Sequence, residues 1–203
     1  CLKSIYRQSN KSFRVVVITS LEKKDVAFLS GNEKTEFVFI KDKAKFLETS
    51  NNLIKQLDSQ YFMYINSDSV LPADAVEKIL SRNEDTIICN ISKPDKNHKF
   101  KAVYPKEKNF TLSNYIKCGV SVWNNAICTQ HVKNEGLFLY DWSYFSQLMY
   151  LLRLYSTVGT IGIVFDVLVY RATLIKKKKI TYVQFSENRR LLTKILKGFT
   201  AKN

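Results

Sequence analysis

Twenty residues, Tyr61 to Leu80, constrain the fold more than any other part of the chain. Tyr61-Phe62-Met63-Tyr64-Ile65 is an uninterrupted run of bulky, uncharged side chains. That pattern predicts a strand buried on both faces, as found inside a parallel sheet. The run stops at a polar cluster, Asn66-Ser67-Asp68-Ser69. Pro72 then stands where the first turn of a helix tolerates proline, with Asp74 near that helix's positive end. Ala75, Val76, Ile79 and Leu80 give the helix an apolar face. A single carboxylate, Asp68, is thus expected just beyond the carboxyl end of a central strand, where open α/β sheets bind ligands. The competing reading of the same residues is an Asx-type turn after a buried strand.

The flanking segments repeat this alternation. Strand-like runs occur at Phe13–Ile18, Phe37–Ile40 and Thr86–Asn90, and helical patterns at 2–9 and 42–58. The second helix gathers Phe46, Leu47, Leu53, Ile54 and Leu57 on one side. The expectation is an α/β domain with a mostly parallel sheet from 13–18, 36–40, 61–66 and 86–91, with helices on both faces. Residues 92–117, Lys-rich with Pro94 and Pro105, read as hairpin and variable loop. A short strand at Val120–Trp123, a helix at 124–132, an apolar helix from Asp141 to Tyr155, and strands at 160–164 and 167–170 complete the domain. An Asp at a helix start also serves as a cap or first-turn residue, so Asp141 has a structural reading of its own.

Composition bounds what such a domain can be. With 45% hydrophobic residues, six Gly and three Pro, the 203-residue chain can bury a substantial core and does not read as disordered. Four cysteines without a CxxC pair, and two histidines, argue against a structural zinc site and a disulfide framework. Reduced thiols in the cytoplasm are the expectation. Cys1 leaves open a lipidated, processed lipoprotein, but Leu2-Lys3-Ser4-Ile5-Tyr6 reads at once as helix rather than polar tether. A segment missing from the front is the preferred account. No apolar run reaches the ~18 residues of a membrane-spanning helix, because Asp166 interrupts the best candidate. Of the net charge of +14, residues 171–203 carry ten Lys/Arg against Glu187 alone, a local charge of +9. The chain therefore divides into a domain at 1–170 and a basic tail at 171–203.

The central stretch resembles the DxD region of family 2 glycosyltransferases, inverting enzymes with a GT-A fold. Asn66-Ser67-Asp68 stands where that family has Asp-x-Asp, keeping the last aspartate and replacing the first by Asn66. Cys1-Leu-Lys-Ser-Ile-Tyr-Arg-Gln8 followed by Phe13-Arg-Val-Val-Val-Ile18 resembles the family's first helix and second strand. The family's first strand, which would precede this helix, is absent. Ser50-Asn51 stands at the family's Arg-Asn, keeping only Asn51. Glu135-Gly-Leu-Phe-Leu-Tyr-Asp-Trp142 resembles the pattern that ends in Glu-Asp-Trp, with Tyr140 in place of the Glu. Tyr170-Arg171 matches a terminal Tyr-Arg.

The resemblance implies a GT-A, Rossmann-like domain that moves a sugar from a nucleotide-diphosphate donor to a glycan acceptor, with inversion. Asp68 would hold a divalent metal, Mn or Mg. Asn66, Ser67 and Asn51 would contact the donor, Arg171 would offset diphosphate charge, and Asp141 would act as general base. Asn51 could equally be a solvated helix residue. Against activity stand Thr19 and Ser20 where the family has an early aspartate, together with Asn66 and Tyr140. One alternative is therefore a weak or inactive relative that serves as partner or scaffold. Another is nucleic-acid binding through the basic tail, disfavoured because no recognised module is present. The tail itself groups Leu191, Leu192, Ile195, Leu196 and Phe199 opposite Arg190, Lys194 and Lys197. Such a helix either packs on its own domain or, with Lys176 to Lys179, lies on an anionic membrane through 176–199, at the inner face. A peripheral position would suit a lipid-linked or cell-surface polysaccharide acceptor.

Overall fold

The computed structural model describes residues 1–27, 34–94, 100–102 and 121–171. Cys1–Thr173 forms one compact unit. The basic tail beyond Arg171 and the loop at 103–120 lie outside the described residues, and so do the readings placed on them. In chain order the elements are α1 (Leu2–Tyr6), β1 (Val15–Thr19), α2 (Lys23–Val26), β2 (Thr35–Phe39), a 3-10 turn (Lys43–Lys45) and α3 (Phe46–Gln56). Then follow β3 (Tyr61–Met63), β4 (Ser69–Val70), α4 (Ala75–Leu80), β5 (Thr86–Pro94) and β6 (Phe100–Ala102). A 3-10 turn (Val122–Asn124), β7 (Asn125–Cys128), α5 (Thr129–Asn134), α6 (Tyr144–Thr157) and β8 (Ile161–Arg171) complete the domain.

The class is α/β, as expected, but the pairing is mixed rather than mostly parallel. β1 and β2 form a parallel pair of their own. The larger sheet runs β3-β7-β5-β8-β4, with β6 paired to β5. Within it only β5 and β8 are parallel; β3–β7, β5–β7, β4–β8 and β5–β6 are antiparallel. The run at Tyr61 accordingly makes a strand of three residues that pairs on one side only among the described residues, with half-buried side chains. It is an edge of this sheet rather than its centre. The centre is β5, whose Ile87, Ile88 and Cys89 are fully buried.

Helices cover both faces. Ile87, Cys89, Ala126, Val164 and Leu168 pack with Ile5 of α1 and with Leu71, Ala75 and Ile79 at α4. On the other face, Tyr155 of α6 donates to the side-chain oxygen of Asn125 at 2.5 Å, and Asn125 stands opposite Ile88. Leu151 and Leu154 of α6 are buried to 1% and 0% exposure. Side chains of that size each contribute ~1.5–3 kcal/mol on burial, so this helix is held chiefly by its apolar face.

Several local expectations need correction. Residues 160–164 and 167–170 are one strand, because the register against β5 shifts at Asn90 and lets the chain absorb Phe165-Asp166 as a bulge. The exposed Asp166 meets Lys78 at 2.9 Å instead of ending the strand. At 122–128 the order is 3-10 turn and then strand, with the helix delayed to Thr129. Asp74 makes no capping bond with its side chain. The buried Gln8 does that work: its Oε1 accepts from Val76 N at 2.9 Å, while its Nε2 donates to the Pro72 carbonyl at 2.6 Å. The helix at 141–155 begins at Tyr144, capped by Ser143, whose Oγ accepts from Ser146 N at 3.1 Å.

Candidate functional site

Strand directions set the site. β3, β5 and β8 point the same way, so their carboxyl ends share one edge of the sheet. The chain leaves β3 at Met63 on one side of that sheet and enters β4 at Ser69 on the other. Five intervening residues are too few to pass around a face, so Tyr64–Asp68 must run along the carboxyl edge. The polar cluster thus lies where ligands of open α/β sheets bind, although β3 is peripheral. A turn closes it: Ser69 N donates to the Asn66 carbonyl at 2.9 Å. The Asx-turn region of the sequence is therefore a real turn, and Asp68 sits in it half-buried, with Oδ1 sealed from solvent. Asn66 is half-buried and Ser67 exposed.

β4 brings the basic candidate, Arg171, to this turn. Ser69 pairs in register with Arg171, the last residue of β8. Asp68 and Arg171 are thereby neighbours through a backbone ladder, fixed by strand pairing across about a hundred residues of sequence. Thr19 and Ser20, at the place of the family's early aspartate, belong instead to the end of β1 in the two-stranded sheet. There Thr19 Oγ1 accepts from Leu21 N at 3.1 Å.

Asp141 is exposed and held in a tight local turn. Its Oδ1 accepts from Ser143 N at 2.6 Å, and its own N–H donates to Ser146 Oγ at 3.2 Å. Just upstream, Asn51 Nδ2 donates to the Leu139 carbonyl at 2.8 Å. Asn51 is therefore not a solvated helix residue: it ties α3 to the segment that carries Asp141. Its Oδ1 is buried without a hydrogen-bond partner among the described residues, as is Trp142 Nε1. Buried polar atoms are normally satisfied, so an orphaned acceptor and an orphaned donor at one locus suit a polar guest or a bound water.

An aromatic nest joins the two halves. Trp123 and Trp142 stack with centroids 5.0 Å apart and planes 13° from parallel. Tyr64 meets both edge-on, at 5.9 and 5.3 Å, and Phe46 meets Trp142 at 5.5 Å. The Tyr64 hydroxyl accepts from Ser50 Oγ at 3.3 Å, and burial pushes its phenol up to about 12, with that bond opposing the rise. Tyr64 starts the run to Asp68 and Trp142 adjoins Asp141, so these contacts bring the Asp141 turn to the start of that run. Sequence reasoning assigned the nest no role, since aromatics at such positions read as core. Trp142 beside Asp141 was the available signal.

Among the described residues no group of three or more His, Cys, Asp or Glu gathers as a metal site. One carboxylate is still enough for a cation carried mainly by substrate phosphates, which is how Mg²⁺ is commonly held. Asp68 is the carboxylate of this turn, and Asn66 adds no charge to it. No described helix is long and apolar enough to cross a membrane.

No family model and no curated protein sequence matches the chain. Solved structures do. Residues 1–349 of S. aureus TarS in complex with UDP-GlcNAc superpose with a TM-score of 0.73 at 14% identity, covering 94% of this chain and 60% of that one. The complex with UDP gives 0.71 at 15% identity, covering 94% and 58%. A longer TarS structure gives 0.71 at 14%, covering 94% and 35%. The chain thus spans 60% or less of the length of these neighbours. At this identity the likeness shows the fold, which is GT-A-like.

Proposed function

We propose that this chain is a glycosyltransferase domain that transfers a sugar from a nucleotide-diphosphate donor to a glycan hydroxyl, with inversion, in the manner of family 2 enzymes. The observation that carries the reading is the Asp68 turn at the carboxyl edge of the larger sheet, at the end of a run whose first residue, Tyr64, meets Trp142 beside Asp141. The likeness to TarS, solved with UDP-GlcNAc and with UDP, supports it.

The division of labour follows from the surroundings of each group. A divalent ion, Mn or Mg, would be held by Asp68 and the donor's phosphates, and would supply Lewis-acid neutralisation of the leaving diphosphate. Arg171, whose backbone neighbours the Asp68 turn through the ladder, would contribute a permanent positive charge toward the diphosphate. Asn66 and Ser67, polar and uncharged, offer hydrogen bonds to the nucleoside. Asp141 is exposed, and its Oδ1 is already fixed by Ser143 N. A carboxylate so oriented can take the proton from an acceptor hydroxyl as it attacks the anomeric carbon, a contribution of typically ~10²–10⁴ in rate. Asn51 acts on this base from behind, through Leu139. The basic segment 176–199 would hold the domain against an anionic membrane, a reading that rests on the sequence alone.

Transfer by the wild type and by Asp141→Asn tests the assignment. With UDP-GlcNAc as first donor and a panel of glycan acceptors, the variant should keep donor affinity and lose turnover by about two to four orders of magnitude. An equal loss of donor affinity would contradict the role given to Asp141. If no nucleotide sugar binds, the replacements at Thr19, Asn66 and Tyr140 mark an inactive relative that serves as a scaffold.

A further inference from the structure

Tyr140 is 78% exposed, the most exposed of the large hydrophobic residues among those described. Its position is imposed by the backbone on either side. Leu139 is buried at 2% exposure, with its carbonyl tied to Asn51. Asp141 N is tied to Ser146 Oγ. With both neighbours pinned, the ring of the intervening residue is directed to solvent. Arg153 of α6 reaches the Tyr140 hydroxyl, Nη1 donating at 3.4 Å, and so steadies the ring from its far end. An aromatic ring left in water contributes little to folding. Here it stands beside an exposed carboxylate, and on the inward side of the same turn Trp142 Nε1 and Asn51 Oδ1 are buried without partners.

We propose that Tyr140 is the stacking platform of a saccharide subsite, binding the apolar C–H face of a pyranose whose hydroxyl lies against Asp141. This rests on the glycosyltransferase reading for its direction, since the sugar next to the base is the acceptor. The chemistry of the turn matches such a ligand. A pyranose presents C–H bonds on one face and hydroxyls around its rim; the ring takes the first, and the carboxylate with the Arg153 guanidinium takes the second. Replacement of the family's glutamate by Tyr140 then exchanges a charged contact for a stacking one, and makes residue 140 a determinant of which acceptor is held.

The chain's two tryptophans, Trp123 and Trp142, form the stacked pair adjoining this turn, so intrinsic fluorescence reports on it without a label. The probes are chitotriose and cellotriose, titrated into the wild type, Tyr140→Ala and Tyr140→Phe. Stability is read by thermal melting, and UDP-GlcNAc binding is read separately on the same proteins. A saturable change is expected in the wild type, about three- to tenfold weaker in Tyr140→Ala and within about twofold of wild type in Tyr140→Phe. Melting and UDP-GlcNAc binding should be the same in all three proteins. Absence of a response to both sugars in the wild type overturns the proposal, and so does equal affinity in Tyr140→Ala. Failure of the wild type to bind UDP-GlcNAc while it binds the oligosaccharides would sink the transferase reading and leave the subsite standing.

Discussion

Asn51 offers the sharpest test of how the Asp141 turn is held, because two opposing costs meet in one side chain. Its Nδ2 donates to the Leu139 carbonyl at 2.8 Å, while its Oδ1 is buried without a partner among the described residues. Asn51→Ala removes both. Loss of the donor takes that partner from the Leu139 carbonyl, at ~1–3 kcal/mol, and loss of the orphaned oxygen removes a desolvation cost of similar size. The two nearly cancel, so the alanine variant should lose only ~0–1 kcal/mol. Asn51→Asp has the same shape but keeps the buried oxygen, sets a second oxygen against the Leu139 carbonyl and adds a charge. It should lose ~2–4 kcal/mol at pH 7. The aspartate's carboxyl would be raised in the folded state. Its penalty is therefore present at neutral pH and relieved as pH falls through that raised value, where the protonated form again donates. Urea unfolding of the three proteins at pH 7 and pH 5, with unchanged m-values, measures this. An aspartate variant no less stable than the alanine variant, or one indifferent to pH, would refute the tie between α3 and the Asp141 turn.

Two further outcomes are expected. Burial raises the Tyr64 phenol to about 12 from its ordinary 10, so the unfolded chain loses this proton first. Tyr64's contribution is fully present below pH 10 and is lost by pH 12, a change of ~2–3 kcal/mol. Urea midpoints at pH 9, 10 and 11 should fall less steeply in Tyr64→Phe than in the wild type, and identical slopes would contradict the assignment. Truncation after Thr173 should release the protein from vesicles containing anionic lipid while leaving its melting temperature in place. Unfolding on truncation, with no vesicle binding by the full chain, would make the tail part of the fold.

What the sequence disclosed depended on range. Uncharged runs and amphipathic faces are local, and they located most of the strands and helices within a few residues. The α/β class followed from their alternation. Pairing partners are not local. Nothing in Tyr61–Ile65 distinguishes a central strand from an edge that hands its chain across to β4, and the order of the larger sheet had to come from the structure. Asp166 shows a subtler failure. A charge inside an apolar run reads as a break, whereas a bulge turns it outward to Lys78 and the strand continues. Asp74 and Gln8 show the same thing for caps, since the residue that bonds the α4 N-terminus is 68 positions away. At the site, motif spacing singled out Asp68 and Arg171, whose backbones the β4–β8 ladder makes neighbours, and Asn51 and Asp141, which the Leu139 carbonyl links. It saw Tyr140 only as a missing glutamate and Asn51 only as a donor contact or a solvated residue, because their present partners, Arg153 and the Leu139 carbonyl, belong to the tertiary fold.

The account turns on Asp68 anchoring a nucleotide-sugar site at the carboxyl edge of the sheet. Isothermal titration of UDP-GlcNAc, with and without Mn²⁺, into the wild type, Asp68→Ala and Asp141→Asn addresses it most directly. The account predicts saturable, Mn²⁺-dependent binding, weakened about tenfold or more in Asp68→Ala and within about twofold of wild type in Asp141→Asn. Binding that survives intact in Asp68→Ala, or no binding by the wild type at millimolar donor, would contradict it.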